Sequence, residues 1–104
     1  MSICESMISI ERLDKVDKVV EDIKKEIKQI LNKHKIFLFK RLAYWRWVSI
    51  MLAFLKSFYL ANQLQRYFKV INYFGVYGEV AFNLEPNIVK EIINVVVRHA
   101  KKLE

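Results

Sequence analysis

The stretch GVYGEVAFNLEP, residues 75–86, holds both glycines of the chain, Gly75 and Gly78, and its single proline, Pro86. Glycine and proline are the strongest local breakers of regular structure. Their confinement to one window of twelve residues leaves a long uninterrupted segment on either side. An all-β chain would show turn residues roughly every 8–12 positions. The pattern therefore predicts an all-α fold: a bundle of three or four helices, with one short loop or hairpin over 75–86 before the last helix. Inside that window Val76, Val80, Phe82 and Leu84 are spaced two or four apart, so a short strand or extended loop is expected there.

Upstream, Ser2 with Glu5 fits a capping box, and Ser6 or Ser9 could cap later. Apolar residues then recur at Leu13, Val16, Val20, Ile23, Ile27 and Ile30, a 3-4-3-4-3 spacing. Glu11/Lys15, Asp14/Lys18 and Glu21/Lys25 stand as acid-before-base pairs on the outer face of the same helix. With Leu13 at heptad position a, Val16, Ile23 and Ile30 fall at d, where a parallel dimer prefers leucine. Packing inside a bundle, or an antiparallel or higher-order contact, fits better. The polar run Asn32-Lys33-His34-Lys35 marks a turn.

Residues 36–74 read as one long helix or two, with Asn62-Gln63 as the bend. On a single wheel Lys40, Arg41, Lys56, Gln63, Arg66 and Lys69 share an arc of about 160°. Leu42, Ile50, Ala53, Phe54, Leu60, Leu64, Phe68 and Ile71 occupy the other side, with Arg46 alone among them. Pro86 suits the first turn of the last helix, where a missing N–H is harmless. Ile88, Ile92, Val95, Val96, Ala100 and Leu103 make its apolar face.

The chain has 104 residues, 54% of them apolar, and a formal charge of +7. One helical domain over 1–104 is expected. An average soluble domain holds ~45–50% apolar residues, and a small one buries only about 60–65% of its unfolded surface. Some of this apolar content should lie against a partner, in a homo- or hetero-oligomer. A disordered basic tail is excluded on composition. Cys4, the lone cysteine, cannot form a disulfide within one chain. Acids Glu5 and Glu11 near the start, with no basic lead, argue against a secretory signal and for a cytoplasmic setting.

Charge is distributed unevenly. Residues 36–78 hold six Lys/Arg and no acid, within a gap of 52 residues between Glu26 and Glu79, and 13 of 14 aromatics lie between Phe37 and Tyr77. Cations without interleaved acid suit a polyanion, DNA or RNA alike. The expected nucleic-acid-binding residues are Lys40, Arg41, Arg46, Lys56, Arg66 and Lys69, with Lys33 and Lys35 outside them. Tyr44 and Tyr59, with Tyr73, would stack on unpaired bases, whereas Phe54, Phe58, Phe68 and Phe74 belong to the core. Two rival classes use the same residues: a purely structural interaction subunit, and a peripheral protein whose Trp45, Trp47 and cations meet an anionic membrane surface. A span is disfavoured, since the longest uncharged run there, residues 47–55, is nine long against the ~20 needed.

No catalytic, metal or cofactor motif stands out. His34 sits among lysines and His99 beside Arg98, both in surroundings expected to be solvated. Neither has a metal-ligand neighbour at suitable spacing, and no phosphate loop or acid–base dyad is present. The expectation is a non-enzymatic, cofactor-free subunit of a nucleoprotein assembly.

Overall fold

The structure, a computed structural model, describes the backbone of residues 3–104 and the side chains from Ser9 onward. The capping residues read at Ser2, Glu5 and Ser6, and Cys4, lie outside the described side chains. Four helices follow one another: α1 Ile3–Lys33, α2 Leu38–Leu60, α3 Leu64–Ala81 and α4 Pro86–Ala100, the last continued by a 3₁₀ turn Lys101–Leu103. There is no strand among the described residues. Each helix packs on its successor, and α1 closes the ring on α4. Three short loops make the neighbours antiparallel. The Lys33–Glu91 and Arg98–Glu26 pairs fix that register for α1 and α4, and Lys56–Asp17 fixes it for α1 and α2.

The stripe read on α1 is the buried one. Val16, Ile23, Ile27 and Ile30 enter the core with Val19 and Leu31 beside them, while Leu13 stays open. On α4 every residue of the expected apolar face is buried. The acids of α1 reach further than i,i+4 spacing suggested. Asp17 pairs with Lys56 on α2, Glu26 pairs with Arg98 and His99 on α4, and only Glu21–Lys24 pairs within α1 among the described residues.

The expected loop over 75–86 shrinks to residues 82–85, because α3 runs through both glycines. Neither glycine has a positive φ. Their use is close packing: a Cβ on Gly75 would lie 2.8 Å from Ile93 Cδ1, and one on Gly78 would lie 2.8 Å from the Trp47 ring. Trp47 fills that gap and donates Nε1–H to the Phe74 carbonyl at 2.7 Å. Val76 and Val80, read as alternating strand positions, instead sit one helical turn apart on the exposed side of α3.

Two helix ends are closed by the same motif. After α1, the N–H of Ile36 reaches the Leu31 carbonyl and that of Lys35 reaches Asn32, with Lys35 at φ 55°. After α2, Gln63 reaches Phe58 and Asn62 reaches Tyr59, with Asn62 at φ 57°. These are Schellman closures, with a left-handed residue just past the helix. Buried Ile36 and Leu31 supply the apolar contact that accompanies the first. The turns expected at 32–35 and at Asn62-Gln63 are both present.

Candidate interaction surface on the second and third helices

Since the chain turns at 61–63, residues 36–74 do not share one wheel, and the basic arc drawn across them divides between two antiparallel helices. Lys40 pairs with Glu85 at 2.9 Å and Lys56 with Asp17 at 2.9 Å, so acids outside the acid-free segment meet two of its cations. The carboxylate of Glu85 raises the pKa of Lys40, first through its hydrogen bond and then through charge. Arg41 donates to Asn32 Oδ1 and to the Ile36 carbonyl, which leaves its charge uncompensated. Among the described residues Arg46, Arg66 and Lys69 have no hydrogen-bond or ion-pair partner, and Arg46 points outward rather than into the core. Lys33 pairs with Glu91, whereas Lys35 lies in the turn just past α1.

Tyr44 and Tyr59 were expected on an exposed basic face, and both are buried. The Tyr44 hydroxyl accepts the Glu85 N–H at 2.9 Å and so ties α2 to the last loop. Tyr59 lies under the Arg12 guanidinium, 4.1 Å from its ring centroid, while Arg12 donates to the Tyr59 carbonyl. Neither ring is open to a base. Tyr73, at 74% exposure, is. Tyr67, inside the hairpin, donates to the Met51 carbonyl at 2.7 Å, and burial pushes its phenol up.

Apolar residues ring α2 on all sides. Tyr44, Trp47, Val48, Met51, Leu52, Leu55 and Tyr59 face inward, while Leu42, Phe54 and Leu60, read as core, are exposed. Among the described side chains, ten of the twelve exposed large apolar residues fall between Phe37 and Val80, on or beside α2 and α3. Phe39 is 86% and Val80 79% exposed. Patches of this kind mark contact sites more often than chance exposure. Between the two helices an open groove of ≈ 380 Å³ is lined by Phe54, Phe58, Val70, Tyr73, Phe74 and Tyr77. Phe54 and Phe74 meet with centroids 5.2 Å apart and form part of its wall.

The α1–α4 half differs in kind. Arg98 Nη1 donates to Glu26 Oε1 at 2.9 Å, and His99 Nε2 lies 2.8 Å from the same oxygen. Lys102 Nζ lies 3.2 Å from His99 Nδ1. Lysine only donates, so Nδ1 is the acceptor and Nε2–H points to Glu26. His99 is thus a buried strut between helices, not the solvated residue expected. Hydrogen bonds from Arg98 and then His99 hold the Glu26 carboxyl at about 2. Hydrogen bonds from Lys33 and then exposed His34 also lower the Glu91 carboxyl from its ordinary value. No cluster of metal-ligating side chains occurs among the described residues, and no described helix is long and apolar enough to cross a membrane. No family model, curated protein or solved structure matches the chain.

Proposed function

We propose that this chain is a non-catalytic helical subunit that associates through the outer surface of α2 and α3. The observation that carries the reading is the concentration of exposed apolar side chains on that hairpin, where Glu79 is the one acid on either helix. The α1–α4 half is instead joined by ion pairs between its helices, Lys33–Glu91 and Arg98–Glu26, and exposes few large apolar side chains among the described residues. Replacing Tyr73 and Val80 together by Asp removes two side chains that are more than two-thirds exposed and touches no core contact. Light scattering, vesicle co-sedimentation and oligonucleotide binding on nucleic-acid-free protein should reveal an association. The Tyr73→Asp/Val80→Asp variant should lose it, while a Lys25→Asp/Lys90→Asp control on the opposite half keeps it. A wild type that associates with nothing in all three assays would refute the reading.

A second reading, contact with nucleic-acid phosphates, draws on Arg41, Arg46, Arg66 and Lys69, which lack acid partners among the described residues. If these four each neutralise a phosphate, log affinity should fall against log salt with a slope of about −3 to −4. Replacing Arg46, Arg66 and Lys69 by Gln should flatten that slope by about two to three. A salt-independent affinity would exclude it.

A further inference from the structure

We infer that the groove between α2 and α3 receives the N-terminal segment of α1 from a second copy of the chain. The inference rests on the docking surface proposed above and names its occupant. Helix α1 has 31 residues against 23 in α2 and 18 in α3. At 1.5 Å per residue it is about 46 Å long, which nearly matches the 48 Å long axis of the molecule. Arg12 already meets Tyr59, beside the last residue of α2, so the residues before it run past their neighbour. Ile10 is 59% exposed and Leu13 36%, three residues apart on one helical row, and no helix of their own chain covers them.

Charge selects the same match. Residues 3–14 carry Glu5, Glu11 and Asp14 against Arg12 alone, an acidic stretch in a basic chain. Three cations of α2 and α3 without partners among the described residues stand on the helical rows that lead to the groove. Arg46 lies on the i,i+4 row that leads through Ile50 to Phe54 and Phe58. Arg66 and Lys69 lie one turn before Val70 and Tyr73. An apolar helical row flanked by acids entering an apolar groove with cations on the rows leading to it is a helix-in-groove contact. Because α1 is continuous from Ile3 to Lys33, its first turns point away from their own groove, and the partner is another copy. Each copy offers one segment and one groove, so reciprocal exchange closes a pair.

The test is sedimentation equilibrium at high micromolar concentration on nucleic-acid-free wild type and on two exposed-site variants, Ile10→Asp/Leu13→Asp and Tyr73→Asp, each checked for unchanged helical circular dichroism. Wild type should have twice the chain mass. Each variant alone should be shifted to monomer by about tenfold or more in dissociation constant. An equimolar mixture of the two should recover a dimer, since one intact segment then meets one intact groove. A dimer that Ile10→Asp/Leu13→Asp leaves unchanged but Tyr73→Asp breaks overturns the inference and keeps the docking surface. A monomeric wild type whose hairpin instead binds anionic vesicles or oligonucleotides overturns it in the same way. A dimer that neither variant affects overturns both.

Discussion

A methyl group added at Gly78 would lie 2.8 Å from Trp47 Cε2 and Nε1, and that ring is fully buried and held by its hydrogen bond to Phe74. Glycine to alanine inside a helix ordinarily gains about 1 kcal/mol. Here the ring cannot retreat, so overpacking should dominate, with a net loss of about 1–3 kcal/mol for Gly78→Ala. Gly75→Ala meets only the flexible tip of Ile93 and should be neutral or mildly stabilising. Urea unfolding of the two variants separates them, and equal effects would contradict this packing account. Glu26 makes a second expectation. Its carboxyl drops from an ordinary 4.5 to about 2 on folding, chiefly through Arg98 and then His99. A depressed acid stabilises fully above its unfolded value and loses that contribution as the pH falls towards the folded one. The stability difference between wild type and Glu26→Gln should therefore be level above pH 4.5 and shrink towards pH 2. A difference that grows on acidification would contradict it.

At the scale of elements, the Schellman closure after α1 places Lys35 at φ 55°. A side chain there costs roughly 1–2 kcal/mol, which glycine avoids. Lys35→Gly should raise the midpoint of thermal unfolding, and Asn62→Ala, at the matching position after α2, should lower it. The helical spacing of α1 and α4 was legible because each has one apolar stripe and one polar side. For α2 it was not. That helix is apolar all round, so Leu42, Phe54 and Leu60 looked as inward as Tyr44, Trp47 and Met51. Gly75 and Gly78 read as breakers because sequence alone does not distinguish a turn glycine from one that admits a ring. The turn residues Asn62 and Lys35 were found where expected, since a polar run between apolar segments has few other places to go.

On the scale of the whole molecule, sequence located the acid-free aromatic segment, but not which of its cations meet acids from α1 and the last loop. Lys56–Asp17 and Lys40–Glu85 join residues 39 and 45 positions apart, and such pairs appear only once the helices are folded against each other. The same folding buried Tyr44 and Tyr59 and left Phe39, Tyr73 and Val80 outside. The result is a bundle with one half joined by ion pairs between α1 and α4 and another whose apolar surface lacks cover within the chain. Hydroxyl-radical footprinting across a protein concentration series tests that division most directly. Phe54, Tyr73, Tyr77 and Val80 should become protected as association proceeds, while Lys25, Lys90 and the outer side of α4 keep the same reactivity. Protection confined to α1 and α4, or spread evenly over all four helices, would contradict the assignment of α2 and α3 as the docking surface.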